Sequence, residues 1–408
     1  MTAPAAAASA PSLRANRDFV VVLTGQAVSA FGDAISLTAM PLLVLLLTGS
    51  GALMGTVAAL QFVPDLVLGL PAGAIADRYD RRRLMLWSDA GRAALTMTIP
   101  ITYWLGGPTI AVVLLVALPI NLLRLLSDSA LSAAVPGLVG RDHIGRANGL
   151  IEATLSIPFI LGPAIAGVLV ALINPASTIA IDAATFAFSA LSLVFVRRSL
   201  RAERPAEMPS VLDDIRAGVA FVFRHSVLRA MVLLRALIQL SVTPLLPVLA
   251  FYLIIDRGYG AELFGLVGSA WSIGYLAGSI AVSRLPDGRA GLRLILCGLL
   301  MGLSLAAIAL TTEPVVYLVA GGVIGFGLAI GVISFMTLRM AVTPDDMMGR
   351  VGSAARTVVI GAQPLALLTV GALTDATSGG LALLVMAAIA AGNSVLFLAS
   401  RSFREARA

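Results

Sequence analysis

The sequence predicts an all-α polytopic membrane protein with twelve transmembrane helices in two pseudo-symmetric six-helix bundles. Three observations carry this. Hydrophobic residues make up 59% of the 408 and charged residues only 12%, about half the roughly 25% charge of a soluble domain. Apolar runs recur along the whole length, and only a bilayer can hide that much apolar surface. A short motif also returns half a chain length later: Asp142-His143-Ile144-Gly145-Arg146 and Asp346-Met347-Met348-Gly349-Arg350 each precede a new apolar run, as in a duplicated six-helix unit. Strand-type alternation is absent, which removes an outer-membrane barrel.

In order, the first six runs fall at about 17–47, 52–76, 84–105, 108–135, 146–172 and 176–197. The second six fall at about 229–254, 261–283, 292–311, 314–338, 350–373 and 378–400. Each is near or above the ~20 residues a crossing helix needs. Residues 1–13, rich in Ala, Pro and Ser, are expected to be a disordered tail; no basic residue opens a signal peptide. The bundles are expected over 14–197 and 229–400, with a linker at 198–228 and a tail at 401–408. Within the linker, Ser210 and Asp213 resemble a capping box. Val211, Leu212, Ile215, Val219 and Val222 follow at helical spacing, predicting an amphipathic helix against the membrane or the bundle.

All 28 basic residues are arginine, and they concentrate in alternate loops. Arg14, Arg17, Arg78, Arg81–Arg83, Arg141, Arg146, the 197–229 stretch and Arg401 onward fall on one side; Arg257 falls on the other. The positive-inside rule then places both termini in the cytoplasm and the chain in a bacterial inner membrane. No basic stretch carries stacking aromatics, so nucleic acid is not an expected partner despite the net charge of +6. With one cysteine, Cys297, no intramolecular disulfide forms. His143 and His225 lack neighbouring ligands, so no metal is expected. Absence of lysine removes a phosphate-binding loop, so uphill transport needs an ion gradient and no other cofactor. No nucleophile–base pair suggests an enzyme.

Charges inside apolar runs are costly and mark function by default. Asp33, midway along the first run, is the leading proton-coupling candidate, followed by Asp65 and Glu152. Asp182 is expected to be structural. Arg124 is expected to pair with an acid or to bind substrate. Gln239, Tyr275 and Met336 are substrate-contact candidates for an apolar cavity with few polar anchors.

The segment Gly73-Ala-Ile-Ala-Asp77-Arg78-Tyr-Asp80-Arg81-Arg82-Arg83 resembles the major facilitator signature Gly-x-x-x-Asp-Arg-x-Gly-Arg-Arg, with Asp80 at the glycine position. The resemblance implies a major facilitator fold and a conformational latch made by Gly73, Asp77, Arg78, Arg81 and Arg82, with Asp89 and Arg92 as partners. Gly162-Pro163-Ala-Ile-Ala166-Gly167 resembles the antiporter signature Gly-Pro-x-x-Gly-Gly. Arg124 resembles the span-four arginine of drug antiporters, although Ser127 and Asp128 depart from the expected downstream glycine. The segments around Asn16–Asp33, Ala134–Asn148, Arg224–Arg229 and Thr337–Val351 are similar to the macrolide-efflux and enterobactin-exporter branch. That likeness implies proton-driven export of amphipathic small molecules, by a monomer whose partners are membrane lipid, protons and cargo. A dedicated siderophore or natural-product exporter, an importer and a non-transporting receptor or scaffold are the alternatives.

Overall fold

The structure is a computed structural model that describes residues 13–140, 143–197, 200, 211–284, 288–344 and 347–406. The tail before Leu13, the two Asp positions of the repeated motif and the Ser210 cap lie outside the described residues, as does the residue 201–210 part of the linker. The described residues form sixteen α-helices and no strand.

Local chemistry sets most helix ends. Helix α1 (Arg17–Thr48) starts at Asn16, whose side chain accepts the Phe19 N–H, and stops at Gly49 with φ 66°; both are favoured caps. The second span is two helices, α2 (Gly51–Leu60) and α3 (Val63–Arg78), broken at Gln61–Phe62 just before Pro64, which has no N–H to continue the ladder. Asp80, the residue that departs from the glycine of the signature, is the N-cap of α4 (Arg81–Trp104) and accepts the Arg83 N–H at 3.1 Å. Then come α5 (Thr109–Val139), α6 (Ile144–Ile173) and α7 (Pro175–Val194).

Helix α8 (Val211–Arg224) falls within the stretch read as the linker and packs on α9 and α14. Gly218 sits against the Arg350 carbonyl, and Val222 is buried with Leu228 and Val351. The seventh span is again divided, into α9 (Ser226–Val242) and α10 (Leu245–Phe251), followed by a π-helical turn Tyr252–Asp256. Helices α11 (Ala261–Val282), α12 (Ala290–Leu310), α13 (Pro314–Val342), α14 (Met348–Ala376), α15 (Gly379–Leu398) and α16 (Arg401–Arg404) complete the chain.

Among the described residues, eleven helical segments are long and apolar enough to cross a membrane. The twelfth expected span, α4, is not, because Arg81–Arg83, Asp89 and Arg92 all lie on it. It nevertheless packs inside the first set of six, against α5 and α7. The first set joins α1 through α7, and the second joins α9 through α15. Between the sets, α6 crosses α11, α2 crosses α14, and α1 meets α10.

Successive spans alternate in direction, so the bundle has an arginine-rich end (α1 start, α3–α4 turn, α8) and an arginine-poor end (Gly49, Asn174, Arg257). At the arginine-poor end one apolar core is continuous through both sets, running from Leu42–Leu45 and Met54 to Leu249, Phe251, Phe264 and Met386. At the arginine-rich end the cores are separate. Val22, Met85, Leu131 and Leu138 serve the first set alone, while Leu228, Leu294, Leu338 and Ala354 serve the second.

Candidate functional site

Between the sets lies a cavity of about 200 Å³ whose lining includes Gln61, Phe62, Gln239, Thr243, Trp271 and Gln363. Two helix breaks and one proline within a helix border it. Gln61 and Phe62 are the α2–α3 turn, Thr243 is the α9–α10 turn, and Gln363 immediately precedes Pro364 within α14. Broken helices meeting between two halves are a general way to bring polar groups to a transport site. Among the described residues the side-chain carbonyls of Gln239 and Gln363 find no hydrogen-bond partner, so two acceptors line a largely apolar space.

Of the expected cargo contacts, Gln239 lines this cavity, whereas Tyr275 and Met336 do not. Tyr275 packs one turn away, its ring 6.0 Å from Trp271. Met336 is 51% exposed on α13. Gln61, Phe62, Trp271 and Gln363 are site residues that sequence reasoning misses; the available signal is the proline that follows Gln61 and Gln363 within three residues.

Among the described residues, the ion-paired charges within the spans gather in the first set, in two groups. Arg92 on α4 pairs with Asp33 on α1 and lies 3.8 Å from Asp89 one turn back. Its guanidinium also stacks 3.8 Å above the Phe186 ring. Asp89 is fully buried and accepts from Ser189 Oγ at 2.7 Å, Ser127 Oγ at 3.1 Å and Gln26 Nε2 at 3.5 Å. The family resemblance assigns Asp89 and Arg92 to the latch at the α3–α4 turn. The structure instead sets their partners on α1, α5 and α7, two to three turns into the bundle, because α4 points them inward. Asp182 is buried nearby, accepting from Thr185 at 3.3 Å and packed hard against Gly32.

In the second group Arg124 on α5 pairs with Asp65 on α3, and its Nη1 lies 3.1 Å from Asp128. The two departures from the family pattern after Arg124 are therefore both used: Asp128 shares the arginine, and Ser127 holds Asp89. Glu152 is exposed on α6. A fixed charge in a bilayer is tolerated when paired, and each of these two arginines has two acids.

At the α3–α4 turn, Arg82 donates from Nε to the Leu193 carbonyl at 2.8 Å and from Nη2 to Val194 at 2.7 Å. A cation thus satisfies the open carbonyls at the end of α7. Arg78 is exposed and Arg81 half-buried. The backbone places Gly73 and Asp77 on α3, and their side chains lie outside the described residues.

The Gly162–Gly167 segment lies where α6 touches both α1 and the opposite set. A Cβ on Gly162 would collide with that of Ala34, the residue after Asp33. On Gly167 it would collide with the Gly265 Cα, and Gly268 faces the Pro163 backbone. Ala34 and Pro163 also line the cavity. Absent side chains are what allow α6 so close to α11. A second seam joins α2 to α14, where Gly55 lies against the Leu367 carbonyl and Gly371.

Comparisons with known proteins agree with this architecture. The chain is 28% identical over 381 residues to the multidrug efflux pump Tap of Mycobacterium tuberculosis, covering 87% of each chain. It is 23% identical over 364 residues to macrolide efflux protein A of Streptococcus pyogenes, covering 88% of this chain and 89% of that one. Among solved structures, a bacterial homologue of the human lysosomal transporter Spinster, inward-facing and occupied, superposes with a TM-score of 0.73 at 13% identity, covering 96% of this chain and 97% of the other. The nucleoside transporter NupG gives 0.70 at 13% identity, covering 94% and 98%. The profile of the Major Facilitator Superfamily matches residues 22–366. The chain is therefore a multi-pass membrane transporter that belongs to the Major Facilitator Superfamily.

Proposed function

We propose that this chain exports amphipathic small molecules from a bacterial cell in exchange for protons, by alternating access, with both termini in the cytoplasm. The observation that carries the reading is the position of Arg92 between two acids, Asp33 and Asp89, with Asp33 next in the chain to Ala34, which lines the cavity and meets Gly162 of α6. When Asp33 takes up a proton its hold on Arg92 ends, and the guanidinium keeps a second carboxylate within reach. The charge on α4 then stays compensated while α1 is released. Because α1 also carries the cavity wall at Ala34 and Leu37, that release is felt where cargo sits.

Two further features support export by alternating access. The sets share one apolar core at the arginine-poor end and have separate cores at the arginine-rich end, the form of a molecule open to the cytoplasm by the arginine rule. The cavity is mostly apolar, which suits amphipathic cargo, and the relatives named above are efflux proteins.

The test is transport of fluorescent and antibiotic compounds into energised inverted membrane vesicles, comparing wild type with Asp33→Asn. Accumulation that a protonophore abolishes and that Asp33→Asn uncouples is the expected result. Protonophore-sensitive transport that survives Asp33→Asn would sink the assignment of coupling to Asp33. Accumulation insensitive to the protonophore would sink proton exchange itself.

A further inference from the structure

Arg92 and Arg124 in the first set are paired, but the second set carries an arginine that is not. Arg235 lies midway along α9 and makes no hydrogen bond or ion pair among the described residues. The described acids of the second set cannot reach it. Asp256, Glu262, Glu313 and Asp375 are at the arginine-poor end, and Glu405 is in the tail, paired with Arg401. Arg92 and Arg124, by contrast, each have two carboxylates.

Arg235 is also placed to meet cargo. It is one helical turn before Gln239 and two before Thr243, both of which line the cavity, so the three share one face of α9. Leu328 on α13 borders both the cavity and the small void beside Arg235. On α11, Tyr275 holds the same relation to the cavity residue Trp271, one turn nearer the arginine-rich end, and its phenol lies within electrostatic reach of Arg235. Arginine and tyrosine thus stand together just below the cavity, on the side facing the arginine-rich end.

We infer that Arg235, with Tyr275 beside it, is an anion-recognition site, and that the cargo carries a carboxylate or similar planar oxyanion bound there. A guanidinium offers a planar fork of donors that matches a carboxylate. An unpaired cation in a membrane core is costly, so the site is complete only with an anion in it. On the first-set side Asp33 adjoins the cavity residue Ala34 in the chain and Asp65 follows Phe62 by three residues. Since Arg92 and Arg124 are each outnumbered by two acids, that side disfavours an anion and suits a basic group. The cavity therefore favours a cargo with an acidic group toward the second set and a cationic or neutral remainder toward the first. This assignment rests on the proposal that the cavity takes amphipathic cargo.

The test uses a matched pair of dyes, rhodamine 6G and its free acid, which share one ring system and differ in whether the carboxyl is esterified. Binding of each to the purified full-length chain in lipid nanodiscs is read by fluorescence polarisation. Wild type is expected to bind the free acid more tightly. Arg235→Gln should weaken the acid about tenfold or more and leave the ester within about twofold. Arg235→Lys should restore part of the acid affinity, since charge returns without the fork. Thermal unfolding of each variant shows that folding is intact. Equal loss of both dyes in a folded Arg235→Gln would overturn the assignment in favour of a structural or inter-helix role. Ester binding with no acid preference in wild type overturns it alone. No binding of either dye to wild type overturns it together with the proposed amphipathic cargo.

Discussion

Asp375, near the end of α14, accepts the Ser50 hydroxyl at 2.6 Å and the Ala52 backbone N–H at 3.1 Å, so a carboxylate of one helix set caps the first turn of a helix in the other. Free N–H groups and the dipole at a helix N-terminus favour such an anion. The contact sits at the arginine-poor end, where the apolar core is shared, and must break if that end opens.

Asp375→Asn should therefore loosen that end without unfolding either set. The lost charge-assisted cap is worth about 1–2 kcal/mol, so amide exchange at Gly51–Leu53 should rise roughly 5- to 30-fold. Hydrogen–deuterium exchange on the purified protein reads this; unchanged protection of the α2 start would show that the cap does not hold the sets together.

Gly167 and Gly162 should fail differently although they share a motif. Gly167→Val puts bulk against the Gly265 backbone of the opposite set, so it should hold the arginine-poor end open and stop transport with little loss of melting temperature. Gly162→Val meets Ala34 within its own set and should lower the melting temperature directly. Spin-label distances between the α6 and α11 ends distinguish the two: widening is expected for Gly167→Val alone.

The Asp33–Arg92–Asp89 group gives an asymmetric prediction. Asp33→Asn leaves Arg92 near Asp89 and should be mild in stability. Arg92→Met strands a fully buried carboxylate and should cost about 3–5 kcal/mol. Denaturation of the two variants and the double variant closes the cycle; equal costs for the single changes would contradict the shared-arginine arrangement.

Asp80→Gly restores the family's residue at that position yet removes the cap of α4. Glycine is itself tolerated as a cap, so the change should cost only a few tenths of a kcal/mol, against about 1 kcal/mol for Asp80→Ala. A larger loss for glycine than for alanine would show that the turn depends on something besides the cap.

At the other end, the Tyr252 hydroxyl accepts from Arg257 Nε at 2.9 Å and Nη2 at 2.7 Å. That bond holds the Arg257 guanidinium above its ordinary value. A raised folded value stabilises at every pH below the unfolded value, and for arginine that covers the accessible range. Tyr252→Phe should thus lower the melting temperature by a similar amount from roughly pH 5 to pH 9. A loss that varies across that window would implicate another titrating group.

Much of the fold is legible in the amino-acid sequence. The helix ends at Asn16 and Asn174 follow from side chains that accept an N–H three residues on, the end at Gly49 from a glycine in the left-handed region, and the amphipathic spacing of 211–222 announces α8. Asp33 and Arg124 stand out because a charge in an apolar run is conspicuous by itself. Their partners do not. Arg92 lies near the α3–α4 loop in sequence and so groups with it by position, whereas its contact with Asp33 depends on how α4 rotates against α1. Gln61 and Gln363 are ordinary polar residues until the break before Pro64 and the packing of α14, which runs unbroken through Pro364, bring them to one cavity.

The sequence by itself determined a helical membrane protein, its alternating spans and its division into two sets, since apolar length, capping and arginine placement are local properties that act within a few residues. Only the tertiary structure decided which acid meets which arginine, which glycines touch across the sets and which end is sealed. Those pairs, such as Ser50 with Asp375 and Gly167 with Gly265, are distant in the chain and are brought together by the crossing geometry of whole helices, which short-range pattern does not encode.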